Sequence, residues 1–143
     1  MKLSFTIPSM DFSAAGKAST EAKRFLARLG LDQNLVKRIA IAMYEGEMNM
    51  AIHGGGGGAE LEISPDKVEL LLQDKGPGIV DLELAMTEGY STASEEVRSM
   101  GFGAGMGMPN MKRNADSMDV DTAKGLGTKI RLVFVIKQAE LAT

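Results

Sequence analysis

The chain has 143 residues, of which 44% are hydrophobic, and this length favours one compact domain over residues 1–143. Its 19 acidic and 16 basic residues give a formal net charge of −3 without a run of either sign, which argues against nucleic acid as a partner. There is no cysteine, and His53 is the only histidine, so disulfides, thiolate metal sites and sites of clustered histidines are excluded.

The first part of the chain predicts one strand and two helices. Polar and apolar residues alternate over 3–7, the pattern of a half-buried strand, and Pro8 ends it. Apolar positions then recur at helical spacing over 11–29 and again over 32–53. The five glycines 54–58 come next, and we interpret them as a flexible connector because they follow a helix and lead into a strand.

The middle of the chain predicts a β-hairpin and a long loop. Alternating residues over 59–63 and 68–72 flank the turn sequence Ser-Pro-Asp at 64–66. A short helix is predicted over 81–86. Residues 87–107 are small, polar and glycine-rich and lack a hydrophobic period, so they predict a long loop of the kind that is usually functional or disordered.

The last part predicts a helix over 108–115 and strands over 118–122 and 128–136. The order of all these elements predicts an α+β fold, a two-layer sandwich in which helices cover one face of a mostly antiparallel sheet. The N-terminal residues lack the apolar core of a signal peptide, and no stretch approaches the roughly 20 apolar residues of a membrane span. We therefore expect a cytoplasmic protein without a membrane partner.

The second helix carries two polar residues beside a predicted buried stripe. Glu45 and Asn49 are four residues apart and project from one side of the helix, with Ile41 and Ile52 on their far flank. An intrahelical pair or a hydrogen bond to a neighbouring loop would satisfy them; alternatively, Asn49 offers an oxygen to Mg²⁺ and Glu45 accepts a proton from a hydroxyl. Glu47 points well away, and we expect it to be solvated. The stripe itself comprises Leu35, Ile39, Ala42, Met43, Gly46 and Met50.

Asp74 ends the second strand of the predicted hairpin. By alternation it shares one face with Val68, Leu70 and Leu72, so we expect its carboxylate to point into a pocket, where it could accept a hydrogen bond from an exocyclic amine such as that of adenine. Gly76 and Gly78 would permit a tight turn and close approach of a flat ring. An ordinary type I or II turn explains the same residues equally well.

Two further features stand in the C-terminal part. Glycines at every second position precede a predicted helix, where exposed backbone N–H groups attract phosphate; a flexible loop is the alternative explanation for Gly101, Gly103, Gly105 and Gly107. Thr128 begins the inward face of the last strand beside a Gly-Leu-Gly turn. The simpler explanation for a threonine at this position is that its hydroxyl makes a hydrogen bond within the turn.

These segments occur in a recognisable order. Glu45-x3-Asn49, Asp-Lys-Gly-Pro-Gly at 74–78, the glycine-alternating loop and Gly-Thr at 127–128 together resemble the N, G1, G2 and GT boxes of GHKL ATPases. The resemblance covers roughly 35–136. Within that superfamily the chain looks like the anti-sigma-factor serine kinases and the related stressosome switch kinases.

The resemblance implies a role for each matched residue. Asn49 would coordinate Mg²⁺, Glu45 would be the catalytic base, and Asp74 with Thr128 would read the adenine of ATP. Gly76 and Gly78 would shape the base pocket. Three glycines would line the phosphates beneath a lid formed by about 88–103, namely Gly103, Gly105 and Gly107. A glycine at position 46, inside a helix, departs from the family pattern and is compatible with close packing.

The resemblance also implies an activity and partners. Such kinases phosphorylate a serine or threonine of a STAS-domain antagonist, and they capture or release another regulator, such as a sigma factor, as that phosphorylation changes. A non-catalytic ATP-binding anti-sigma factor is the alternative. The sequence leaves monomer and homodimer open.

Overall fold

The computed structural model describes residues 1–8, 16–52, 55–74, 76, 86, 107–123 and 127–137. In this part of the chain, five strands form one antiparallel sheet with the order β1-β2-β3-β5-β4. The elements are β1 Lys2–Ile7, α1 Lys17–Arg28, α2 Gln33–Ile52, β2 Gly57–Ile63, β3 Lys67–Asp74, α3 Gly107–Asn114, β4 Ser117–Ala123 and β5 Gly127–Val135.

The sheet has one apolar face and one polar face. Leu61 of β2, Leu70 of β3 and Leu132 of β5 lie side by side in register, and all three are fully buried. One position along, Glu69 of β3 points to the opposite face, where its carboxylate contacts Lys67 at 2.8 Å. Because successive side chains of a strand point to opposite faces, this alternation places the core on one side only.

The helices cover the apolar face, so the predicted α+β sandwich is confirmed. Helix α2 packs against α1, α3 and the sheet, and its predicted buried stripe is buried throughout. The predicted inward residues of the last strand are buried as well: Thr128, Ile130, Leu132, Phe134 and Ile136. None of the described helices combines the length and apolarity needed to cross a bilayer.

Gly46 has a packing reason for its place in the middle of α2. A Cβ atom at this position would overlap the side chain of Leu72 on β3. The helix therefore approaches the sheet more closely at this turn than any residue with a side chain would allow, which is the close packing that the sequence suggested.

The glycine run differs from its interpretation as a connector. Gly57 and Gly58 belong to β2, and among the described glycines before this strand, Gly55 and Gly56 both have positive φ. The strand begins earlier than the alternation indicated because glycine hides the pattern. At Gly57 a Cβ would overlap the carbonyl oxygen of Gln73, so no other residue fits this pairing.

The expectation that Glu47 is solvated is wrong. Its side chain is only 4% exposed, and its carboxylate accepts the backbone N–H groups of Ala18 and Ser19, each at 3.2 Å. The Glu47 side chain does point away from Glu45, as its spacing predicts, but α1 occupies that side of α2. An N–H pair at the start of α1 therefore provides the partners that a buried carboxylate requires.

Several predicted features lie outside the described residues. They include the start of the helix predicted over 11–29, the short helix over 81–86 apart from Met86, and the loop over 87–107 apart from Gly107. The helix predicted from 108 begins at Gly107.

Candidate functional site

Glu45 contacts the third helix rather than its own helix. Its Oε1 accepts a hydrogen bond from Nδ2 of Asn110 on α3 at 3.1 Å. Glu45 is half-buried, and its Oε2 accepts no hydrogen bond from any residue that the structure describes. A carboxylate held by one oxygen and open at the other can accept a proton from a hydroxyl that reaches it.

Asn49, one turn further along α2, faces the start of α3. The position of a Cβ added to Gly107 would lie 2.9 Å from Oδ1 of Asn49 and 3.3 Å from its Nδ2. Within the described part of the chain, the Asn49 amide makes no hydrogen bond. Glycine at position 107 thus leaves the Asn49 oxygen open, next to the N-terminal N–H groups of a helix.

Asp74 and Thr128 meet at the end of the sheet. Oδ1 of Asp74 accepts the backbone N–H of Thr128 and that of Gly76, both at 3.0 Å. The Thr128 hydroxyl lies 2.9 Å from the hydroxyl of Thr122 on β4. Among the described residues, Oδ2 of Asp74 accepts no hydrogen bond, so one oxygen of this half-buried carboxylate stays available to a ligand amine.

The turn of α2 that carries Asn49 lies at the same end of the molecule as Asp74. Gly46 packs on Leu72, two residues before Asp74 on the same face of β3. One helical turn later, Met50 reaches Gly57: a Cβ at Gly57 would be 2.9 Å from both Met50 Sδ and Asp74 Cα. Helix α2 and strand β3 therefore bring Asn49 and Asp74 to the same end of the fold.

These residues fit the groups that the GHKL resemblance implies. A part-buried carboxylate oxygen that accepts no hydrogen bond from the described residues suits the amine of a purine. An amide oxygen to which no described residue donates suits Mg²⁺, which prefers oxygen ligands and keeps several waters and phosphate oxygens around it. The described residues contain no cluster of three or more acidic or histidine side chains that could hold a metal by themselves. A metal at Asn49 would thus depend on the nucleotide for its other ligands.

The remaining predicted site residues are not placed by the structure. Gly78, Gly103 and Gly105 and the predicted lid lie outside the described residues, and of the predicted phosphate-binding glycines only Gly107 is described. Two clefts, of about 320 and 550 Å³, open elsewhere, the first between α3 and β4 and the second beside β1 and β2. Neither is lined by Glu45, Asn49 or Asp74.

Three side chains with shifted pKa values lie on the outer face of the sheet, away from this site: Lys2, Lys67 and Glu69. A hydrogen bond from Lys67 lowers the pKa of Glu69, and the same contact raises the pKa of Lys67. A hydrogen bond to Glu60 raises the pKa of Lys2. All three groups are in contact with solvent, so these pairs contribute little to stability.

Two contacts of α2 escaped the sequence interpretation, one at the site and one on the side of the helix that faces α1. Nothing in the spacing joins Asn110 to Glu45, 65 positions away. The burial of Glu47 against α1 was missed because helical spacing gives the direction of a side chain but not the neighbour that it meets.

Comparisons with known proteins identify the family of this chain. The family described as the histidine kinase-like ATPase domain matches residues 9–134. The chain is 30% identical over 100 residues to the serine/threonine-protein kinase RsbT of Bacillus subtilis, covering 67% of this chain and 69% of that protein. It is 32% identical over 141 residues to an anti-sigma F factor of a Thermoanaerobacter species, covering 95% and 93%, and 34% identical over 112 residues to that of Clostridium beijerinckii, covering 74% and 75%.

Solved structures share the fold. The crystal structure of the RsbU and RsbW domains of Rv1364c from Mycobacterium tuberculosis superposes with a TM-score of 0.64 at 16% identity, covering all of this chain and 35% of that one. The mycobacterial sensor histidine kinase MprB gives a TM-score of 0.56 at 20% identity, covering 94% and 97%. With the family match spanning most of its length, the chain belongs to the histidine kinase-like ATPase family, the GHKL type that its motifs indicate.

Proposed function

We propose that this protein is an ATP-dependent serine/threonine protein kinase that phosphorylates a STAS-domain antagonist in a partner-switching pathway. Membership in an ATPase family implies ATP binding. The observation that carries the finer proposal is the position of Glu45, whose carboxylate has one oxygen on Asn110 and one open oxygen, a single helical turn from Asn49. A base beside the metal-binding residue is what transfer of a phosphoryl group to a hydroxyl needs.

Each residue has a separate task in this proposal. Oδ2 of Asp74 accepts the exocyclic amine of adenine, while Oδ1 stays on the N–H groups of Thr128 and Gly76. The amide oxygen of Asn49 would hold Mg²⁺, which would supply charge neutralisation for the phosphates. The N-terminal N–H groups of α3, which begins at Gly107, face the phosphates with their partial positive charge.

Glu45 removes the proton from the attacking hydroxyl. The serine or threonine oxygen forms a bond to the γ-phosphorus, the bond from that phosphorus to the β,γ-bridging oxygen breaks, and ADP leaves with the electron pair. The proton passes to Oε2 of Glu45. Because little covalent chemistry falls to the protein, positioning accounts for most of the acceleration.

The partners are proposed from the relatives. One relative is named a serine/threonine-protein kinase and several are named anti-sigma F factor. A regulator that is captured or released as the antagonist changes its phosphorylation state, with a sigma factor as the prime candidate, is consistent with both names.

The test is a transfer assay on purified protein. With Mg²⁺ and γ-labelled ATP, label should move to a serine or threonine of a STAS-domain protein from the same genome, and Glu45→Gln should abolish transfer without weakening ATP binding. If Glu45→Gln transfers label as fast as the unchanged protein, Glu45 is not the base. If none of the STAS-domain proteins accepts label, the kinase proposal is wrong.

A second candidate function is a non-catalytic, ATP-dependent anti-sigma factor. The observation in its favour is that several relatives carry the name anti-sigma F factor and no kinase activity in that name. It predicts that capture of a sigma factor survives Glu45→Gln and fails in Asp74→Asn, because capture needs bound nucleotide and not the base. Equal capture by the unchanged protein and Asp74→Asn would contradict it.

A further inference from the structure

Asn110 links the proposed base to a cation on the third helix. Its Nδ2 donates to Oε1 of Glu45 at 3.1 Å, and its Oδ1 accepts Nη1 of Arg113 at 3.0 Å. Asn110 and Glu45 are half-buried, whereas Arg113 is exposed. The three side chains thus form a chain of hydrogen bonds that runs from the surface of α3 to α2.

The direction of the Asn110 amide follows from its neighbours. A guanidinium only donates, so it requires the amide oxygen, and this leaves the NH₂ group for a carboxylate, which only accepts when it is ionised. The reversed amide would place oxygen against oxygen at Glu45 and nitrogen against nitrogen at Arg113. Arg113 therefore holds Asn110 in the one orientation that donates to Glu45.

The packing of α3 on the core fixes the position of Asn110. It sits in the middle of α3. The neighbours of Asn110 in α3 on the core side, Met108 and Met111, are buried at 5% and 0% exposure. A side chain on such an anchored helix can restrict the rotation of a carboxylate that it contacts.

We propose that Asn110 is a positioning residue that fixes the Glu45 carboxylate, so that Oε2 points to the acceptor hydroxyl. This inference rests on the proposed role of Glu45 as the base. Without the Nδ2 donor, the carboxylate rotates about its side-chain bonds and spends less time in the productive geometry. A misplacement of about 1 Å can lower a rate by about 100-fold, so we expect a kcat loss of about 10-fold to 100-fold.

The direct test of the contact is the side-chain amide resonance of Asn110 in ¹⁵N-labelled protein, assigned by its disappearance in Asn110→Ala. It should move in Glu45→Gln, where the acceptor loses its charge. It should stay in place in Glu21→Gln, a matched change at an exposed position of α1. A resonance that is unmoved by Glu45→Gln would overturn the proposal whatever the kinetics show.

The functional test compares Asn110→Ala with Asn114→Ala. Asn114 is the same residue type one turn along α3, and its side chain bonds a backbone carbonyl rather than Glu45. With Mg²⁺-ATP and water as the acceptor, ADP production by Asn110→Ala should show the lowered kcat with an unchanged KM for ATP, and Asn114→Ala should match the unchanged protein. Asn110→Asp keeps the shape of the side chain but removes the Nδ2 donor, so its kcat should fall at least as far. This variant replaces Asn110→Ala in the test if Asn110→Ala folds poorly.

The two proposals fail in different ways. If Glu45→Gln keeps the full rate, the proposed base is wrong. If Glu45→Gln loses the rate but Asn110→Ala and Asn110→Asp keep it, the positioning role is wrong and the base stands.

Discussion

The carboxylate of Glu47 on α2 accepts the backbone N–H of Ser19 at the start of α1, at 3.2 Å. Its other oxygen accepts the N–H of Ala18. The residue at the N-cap position of α1 is Gly16, whose φ of 84° is left-handed and which has no side chain to cap the helix. A side chain from a different helix therefore performs the capping, and it brings negative charge to the positive end of the α1 dipole.

Replacing Glu47 with alanine should destabilise the fold. Two buried N–H groups would lose their acceptor, and each unsatisfied buried donor costs about 1–3 kcal/mol, so we expect a loss of about 2–6 kcal/mol in the free energy of unfolding. Glu47→Gln, which keeps one acceptor oxygen, should lose less. Urea denaturation measures the change, and Glu21→Ala at an exposed site on α1 is the control. A loss no greater than that of the control would contradict the capping role.

Gly46→Ala should be destabilising although alanine is the better helix former. Its Cβ would overlap Leu72, and overpacking costs about 1–3 kcal/mol, more than the gain of about 1 kcal/mol in helix propensity. The matched experiment repeats the substitution in a Leu72→Ala background, where the overlap is gone and Gly46→Ala should become neutral or stabilising. An equal loss in both backgrounds would mean that Leu72 is not the obstacle.

Asp74→Asn should separate nucleotide affinity from stability. The amide keeps an oxygen for the N–H groups of Thr128 and Gly76, so unfolding should change by less than about 1 kcal/mol. In place of Oδ2, an NH₂ group would face the adenine amine, and this group cannot accept its hydrogen bond. The Kd for ATP, measured by calorimetry, should therefore rise about 10-fold to 100-fold. Asp121→Asn, exposed on β4, controls for the lost charge. Unchanged ATP affinity in Asp74→Asn would place the base of the nucleotide elsewhere.

Gly107→Ala should weaken binding of Mg²⁺-ATP while leaving the helix intact. The added Cβ would lie 2.9 Å from Oδ1 of Asn49 and push the amide from its place, so we expect about a tenfold higher Kd, while alanine favours helix α3 by about 1 kcal/mol. Gly58→Ala is the control, because its Cβ would meet only the carbonyl oxygen of Phe5 at an ordinary 3.6 Å. If both variants bind Mg²⁺-ATP equally well, Gly107 has no special relation to Asn49.

Much of the fold could be predicted because its elements carry their own periodicity. The alternation of Val68, Leu70 and Leu72 specified a strand and its buried face, and the row ended on Asp74, which the structure places against Thr128 of β5. The spacing of Glu45 and Asn49 specified one side of α2. Local geometry determines such features, since a strand alternates with period 2 and a helix turns every 3.6 residues.

Short-range spacing in the amino-acid sequence specifies the sandwich of helices on an antiparallel sheet, the buried stripe of α2 and the order of the boxes that mark the family. The burial of Glu47 against α1 and the contact between Asn110 and Glu45 depend instead on tertiary packing. Both contacts join elements far apart in the chain, Glu47 and Ser19 by 28 positions and Glu45 and Asn110 by 65. Periodicity gives the direction of a side chain, and only packing gives it a neighbour.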